Sequence, residues 1–257
     1  MGTSDRSRTV TSGRRPALVE LRRYRLHPGR RDELIELFDR EFVETQEAVG
    51  LQVLGQFRDA DEPDHFVWLR GFPTQDPDAR AASLAAFYGG ATWAAHRDAA
   101  NATMLDSDDV LLLQPARPDT ALAAVTSRTA AAHRNGDPGL LLATTCLLTK
   151  PAEETGVVDA TVTALRDLSA AEDRRLLAVL VTAAIPNRFP ALPVREGEHA
   201  LVWLESCRPP RSAEAALAAR RARAGWRDGV PDSLADHLRE PALVSRLLPT
   251  ARSLLTP

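Results

Sequence analysis

The chain has 257 residues, 44% of them hydrophobic and 26% charged, which is enough to bury one or two ordinary cores and reads as globular. Its net charge of −3 and pI of about 6.1, with acidic and basic residues interleaved, argue against a nucleic-acid footprint or an anionic-membrane surface. No stretch approaches the uninterrupted apolar run that a membrane span requires.

Residues 1–16 are rich in Ser, Thr, Arg and Gly and lack an apolar core, so they read as a disordered tail of a cytoplasmic protein rather than a secretory signal. Cys146 and Cys207 each sit inside an apolar run, far apart in sequence, as small buried thiols do, and no disulfide framework is expected. Lys150, the sole lysine, lies at a strand end before Pro151, a poor place for Schiff-base chemistry.

Leu18 to Leu26 has strand propensity and stops at His27-Pro28-Gly29. From Arg31, the residues Leu34, Leu37, Phe38, Phe42 and Val49 recur at helical spacing, and Gly50 provides the stop. Leu51 to Phe57 and Phe66 to Phe72 read as strands joined by a turn-rich Asp59 to Asp64 connection. Asp78 to Phe87 and Thr92 to Met104 form a helix broken at Gly89-Gly90, and Asp108 to Gln114 closes the unit as a strand. The order is βαββαβ.

Residues 116–139 lack a sustained period and read as a linker with a short helix. The pattern then restarts: strand Leu140 to Thr149, helix Ala152 to Leu168, strands Leu176 to Ile185 and His199 to Cys207. A broken helix over Ala213 to Ala224 and Asp232 to Arg239 follows, then a weak strand near Ala242 to Leu248 and a tail at 251–257. Val67-Trp68-Leu69 repeats as Val202-Trp203-Leu204 at an offset of 135, and Trp93 against Trp226 at 133, which points to a duplication. The expected domains are therefore 17–115 and 140–250.

Each βαββαβ unit places its helices on one sheet face and leaves the other bare. Two such units in one polypeptide can cover each other's bare faces as an eight-stranded barrel, whose bore holds side chains plus one small ligand. The fold class is thus α+β, with two tandem ferredoxin-like repeats forming a dimeric-α/β-barrel-like unit. Because the second sheet comes from the same chain, a partner is not required, although edge strands leave a homodimer open.

The string from Ala86 to Met104, AFYGGATWAAHRDAANATM, followed by Asp106 to Leu113, resembles the closing half of a NIPSNAP domain, as does VELRRYRLHPGRRDELIELF over Val19 to Phe38. Asn187 to Glu198 is similar to a segment of bacterial two-repeat members. The resemblance implies the dimeric α+β barrel superfamily, whose members include cofactor-free monooxygenases, haem-handling proteins and dehydratases. It does not imply one reaction.

No Gly-rich phosphate loop, nucleophile elbow, HExxH or CxxC is present, which removes familiar nucleotide kinases, α/β-hydrolases, Rossmann dehydrogenases and zinc enzymes, and no metal site is expected. His96 shares a helical face with Trp93 and Ala100. Reaching the barrel interior it would be a proton shuttle or haem ligand, and otherwise a hydrogen-bonded structural group. Arg97 and Asn101 would bind a substrate carboxylate or carbonyl, or brace the helix. Glu20, Arg22 and Tyr24 alternate along the first strand. Facing the bore they form a polar constellation for an oxygenated substrate, with Tyr24 beside His96 as a catalytic candidate. Facing solvent they are a cross-strand ladder.

Arg70 and Glu205 follow Trp68 and Trp203 by two residues and are expected to form a complementary charge pair near the pseudo-twofold. Arg195 to His199 reads as a rim or lid, or else as a solvated loop. The function expected is binding of a small apolar or aromatic metabolite in the barrel, with any transformation needing no organic cofactor. The alternatives are a non-catalytic interaction scaffold and a haem-binding protein. An internal void of several hundred cubic ångströms favours the first, and a packed interior the second.

Overall fold

A computed structural model of the chain describes residues 14–124, 139–172, 174–207 and 213–257. Residues 1–13 of the expected tail at 1–16 and 125–138 of the expected linker at 116–139 lie outside the described residues, as do 173 and 208–212.

The first half runs β1 (Leu18–Leu26), α1 (Arg31–Leu37), a π-helical turn (Phe38–Phe42), α2 (Val43–Glu47), β2 (Gln52–Asp59), β3 (His65–Phe72), α3 (Pro77–Tyr88), α4 (Ala91–Asn101) and β4 (Met104–Pro115). The second runs β5 (Leu140–Leu147), α5 (Ala152–Thr155), α6 (Val157–Glu172), β6 (Arg175–Thr182), β7 (Ala200–Cys207), α7 (Ala213–Arg221), β8 (Trp226–Arg227), β9 (Val230–Pro231), α8 (Asp232–Ala235) and β10 (Leu243–Pro249).

Eight strands close into an antiparallel barrel in the order β1-β3-β2-β10-β5-β7-β6-β4. The two four-stranded sheets join edge to edge where β10 meets β2 and where β4 meets β6. The weakest strand of the sequence, β10, is therefore a seam of the barrel. Closure leaves no unpaired edge in the barrel, so the edge-strand route to a homodimer has nothing to use there.

Strand alternation sends one set of side chains inward and the other toward the helices. Val19, Leu21, Val67, Leu69, Leu111 and Leu113 meet Leu141, Ala143, Ala178, Leu180, Val202 and Leu204 in one apolar cluster that fills the bore. Leu255 of the C-terminal segment joins it. The opposite faces build two separate helix-covered layers. In the first half, Trp68, Phe66 and Phe72 pack under Phe38, Phe42, Leu84 and Phe87. In the second, Trp203, Val179 and Leu201 pack under Val162, Leu165 and Leu168.

Several elements differ from the sequence reading. The expected helix from Ala152 breaks at Gly156, where φ is 69°, and resumes as Val157–Glu172, and the expected helix from Asp232 stops at Ala235. The helix from Arg31 widens into a π turn at Phe38–Phe42 before continuing. Strand β4 begins at Met104 rather than Asp108, because pairing of Arg25 with Asp106 and Leu26 with Met104 extends a polar run that has little strand propensity of its own. The expected helix after Ala213 ends at Arg221 and gives way to the β8–β9 ribbon, so Trp226 sits on a strand while Trp93 sits on a helix.

The ribbon's turn explains that change. Asp228 and Gly229 both have positive φ, 52° and 83°, as a tight hairpin turn requires, and an Asp-Gly pair is its sequence signal. A Cβ added at Gly229 would meet Arg220 and Arg221 side chains at 3.8 and 3.9 Å, ordinary contact distances. Gly229→Ala is therefore expected to cost about 1–2 kcal/mol from the backbone alone, read as a shift in the urea midpoint.

Candidate functional site

The site is built on the helix-facing side of the first sheet, not in the bore. Glu20, Arg22 and Tyr24 on β1 face the helices beside Trp68 and Arg70 on β3, where register sets Glu20 opposite Arg70 and Arg22 opposite Trp68. This face is neither of the two that the alternation left open: it does not line the bore, and it does not meet solvent as a cross-strand ladder, since Glu20, Arg22 and Tyr24 are buried under the helices. Even-numbered β1 residues lie on the face that α1 to α4 cover, and the bore takes Val19 and Leu21.

Glu20 is wholly buried and bridges three guanidiniums that are also wholly buried. Its Oε2 accepts from Arg22 Nη1 at 2.9 Å and from Arg70 Nη2 at 2.5 Å, and its Oε1 accepts from Arg80 Nη2 at 2.6 Å. Burial pushes the carboxyl up, but the charges of Arg70, Arg22 and Arg80 outweigh it and hold Glu20 at about 2. It is a fixed anion, far too weak a base to take a proton from a substrate near neutral pH.

Arg22 turns its Nε to the Tyr24 hydroxyl at 2.8 Å. Its guanidinium carbon lies 5.4 Å from the Tyr24 ring centroid and 5.6 Å from that of Trp68. Two buried donors in this group have no partner among the described residues: Arg22 Nη2 and Trp68 Nε1. Such donors are costly in a protein interior and call for an explanation.

A void of about 30 Å³ lies between sheet and helices, lined by Tyr24, Phe38, Phe42, Gln46, Trp68 and Trp93, with Leu34, Phe87, Tyr88 and Met104 completing the wall. The π turn brings Phe38 and Phe42 to it together, with the Phe38 ring 4.8 Å from that of Trp68. Gln46 Nε2 donates to the Phe42 carbonyl at 2.9 Å, and Arg70 Nη1 donates to Gln46 Oε1 at 3.2 Å. Wide turns of this kind recur at functional sites. The outer lip is half-buried Tyr88, Trp93 and Met104.

The second half reaches over this lip. The connection from β6 to β7, residues 183–199, lays Ile185, Phe189 and Leu192 against the first half's layer. Asn187 Oδ1 accepts from Arg80 Nη1 at 3.0 Å and from the Phe189 backbone N–H at 3.1 Å. Phe189 stacks on Tyr88 at 5.9 Å. The first half has only a short turn at the equivalent place, between β2 and β3. Further along the connection, Arg195 bonds Asp109 at 3.1 Å and Glu198 at 2.8 Å, which sets this loop on the barrel rim.

Arg70 and Glu205 do not pair with each other. Their strands, β3 and β7, stand four places apart around the barrel, and each side chain points out toward its own helices. Glu205 instead bonds Arg220 and accepts from Trp203 Nε1 at 3.1 Å. The second half's register matches Arg22 with Thr144 and Tyr24 with Cys146, so β5 offers Trp203 neither guanidinium nor phenol, and the guanidinium near its ring is that of Arg220 at 5.9 Å. Burial holds the Cys146 thiol up at about 12, an inert group.

The remaining sequence candidates stand apart from the void. His96 is half-buried on α4, with Nε2 3.5 Å from Glu41 Oε2 and its ring beside that of Phe42 in the π turn. It does not reach the bore, because α4 packs on the far face of the sheet. Arg97 is exposed and lies 3.5 Å from Asp98, and Asn101 is exposed near the end of α4. Arg80, Gln46, Tyr88, Asn187 and Phe189 are the site neighbours that sequence reasoning missed. Arg80 left a signal, a charge at i to an apolar Leu84 at i+4 and Phe87 at i+7 on one helical face. Among the described residues, no group of His, Cys, Asp and Glu forms a metal-binding cluster, and no helix is long and apolar enough to cross a membrane.

No family model matches the chain, and no curated protein matches it. Solved structures do. A proposed monooxygenase from Lactobacillus acidophilus aligns at 12% identity over 91% of this chain and 94% of its own, with a TM-score of 0.53. Another from Fusobacterium nucleatum aligns at 8% over 92% and 93%, also at 0.53. A NIPSNAP domain protein from Burkholderia xenovorans aligns at 20% identity over 38% of this chain and 94% of its own, with a TM-score of 0.35. At these identities the two full-length likenesses establish the architecture alone: this chain has an α+β barrel fold of ferredoxin-like repeats.

Proposed function

We propose that the first half binds a small apolar or aromatic metabolite between its sheet and its helices, against Trp68. The observation that carries this reading is the unpartnered Nε1 of Trp68, a buried donor in a wall made mostly of aromatic and aliphatic side chains, with Gln46 the one amide in it. An apolar pocket with a few convergent polar groups is the usual form of a small-molecule site. Tyr24 supplies a hydroxyl whose oxygen already accepts from Arg22, which leaves its proton to polarise a ligand oxygen. Any transformation there would draw on that donor and on Arg22 rather than on a strong base.

A scaffold without ligand is the second reading, and two observations favour it. The bore is filled by side chains, and a void of about 30 Å³ at rest holds one or two waters. A ligand of aromatic size therefore requires the lip at Tyr88, Trp93 and Phe189 to move outward.

Native mass spectrometry of the protein from its own host decides between them, with a retained small-molecule mass expected for the wild type. Trp68→Phe keeps an aromatic face but replaces the indole by a smaller ring and deletes the unsatisfied donor. It is expected to cost about 1–3 kcal/mol in stability from the lost buried volume, and to lose the retained mass. Bare polypeptide mass in the wild type, with no thermal shift from a panel of small aromatic compounds, would rule out the ligand reading.

A further inference from the structure

We infer that the ligand of this site carries an anionic oxygen, held by the Tyr24 hydroxyl and the Trp68 N–H, with Arg22 behind them supplying the balancing charge. The inference rests on the binding site proposed above and specifies its substrate class: a compact apolar or aromatic body bearing one carboxylate, phenolate or enolate oxygen.

The first ground is a charge count. Arg22, Arg70 and Arg80 are each wholly buried and each pairs with Glu20, and among the described residues with no other carboxylate. Three guanidiniums against one carboxylate leave two positive charges without a counter-charge in the protein interior. Uncompensated buried charge costs several kcal/mol per ion, and an anion arriving beside it recovers part of that cost.

Where that excess can be reached is the second ground. Arg70 spends its donors on Glu20, Gln46 and Tyr88, and Arg80 spends its own on Glu20 and Asn187. Arg22 keeps Nη2 unused. Its Nε is directed at Tyr24 Oη, and Tyr24 and Trp68 both line the void. A hydroxyl that accepts a charge-assisted hydrogen bond becomes a better donor through its own proton. Tyr24 thus carries the Arg22 field to the void's surface, and Trp68 Nε1 offers a second N–H there.

Internal compensation by a tyrosinate is disfavoured. Burial pushes the Tyr24 phenol up, against the smaller lowering by Arg22, so the ring stays neutral and the charge excess stands.

The second half provides an internal contrast. At the positions matching Arg22 and Tyr24 it has Thr144 and Cys146, and its Trp203 Nε1 is already satisfied by Glu205. An anion would meet a carboxylate there. Arg220 and Arg174 approach Glu205 there, but the Trp203 donor is taken and no phenol stands beside it, so the inferred anion site is placed in the first half.

The test is isothermal titration of the full chain with two charge-paired sets of probes: benzoate against benzamide, and ionised 4-nitrophenol against nitrobenzene. Each anion is expected to bind at least about tenfold more tightly than its neutral partner. Arg22→Met is expected to bring that ratio close to one. Should Arg22→Met fail to fold, Tyr24→Phe carries the same test, because it deletes the hydroxyl that relays the Arg22 charge and must bring the ratio of anion to neutral affinity close to one. Preference for benzoate alone identifies a carboxylate ligand, and preference in both sets identifies any anionic oxygen. Equal affinity of charged and neutral probes in the wild type overturns the anion inference and leaves the binding site standing. Absence of binding by all four probes overturns both.

Discussion

Glu20→Gln is expected to destabilise the protein by about 3–5 kcal/mol, seen as a large drop in the urea midpoint, because it withdraws the one carboxylate from three buried guanidiniums. An amide of the same shape can accept hydrogen bonds but cannot offset charge. The same carboxyl gives a pH signature. Burial raises it and the three arginines lower it more, from the usual 4.5 to about 2. A carboxyl depressed in the folded state contributes stability that is fully present above its unfolded value and lost as pH falls through its folded one. Wild-type stability should therefore decline from about pH 4.5 toward pH 2, and Glu20→Gln should lack that part of the decline. A variant within about 1 kcal/mol of wild type would show that the cluster is not held together by this charge.

Leu204→Ala is expected to cost about 2–5 kcal/mol without changing ligand affinity. Leu204 is 1% exposed and points into the bore from β7, among side chains contributed by both halves. Truncating it opens a hole in the shared core that joins the halves, whereas the proposed site lies on the far side of the first sheet. A ligand chamber in the bore would give the reverse result, a small stability change with altered binding. Denaturation and titration on the same preparation separate the two.

The division of labour between the halves follows from how the repeats diverged. Both keep a tryptophan on the third strand of the unit facing the helices. Only the first keeps Arg22 and Tyr24 beside it, and only the second has the long connection that brings Asn187 and Phe189 across to the first half's lip. Neither half alone contains the whole arrangement.

Strand and helix order, the duplication and the barrel were legible in the sequence, because they rest on local periodicity and on the need of two bare sheet faces for cover. The alternation of Glu20, Arg22 and Tyr24 likewise fixed that they share a face. What alternation does not say is which way that face looks, since a strand buried on both sides carries apolar residues on both. Tertiary packing decided it: the bore took the aliphatic set, and the helices took the charged and aromatic set. The pairing of Arg70 with Glu20 rather than Glu205, the approach of Arg80 across 60 residues and of Asn187 across 107 from it, and the π turn at Phe38 all depend on contacts between distant segments. Periodicity is a property of neighbours along the chain, and these contacts are set by the closure of the barrel and the docking of helices upon it.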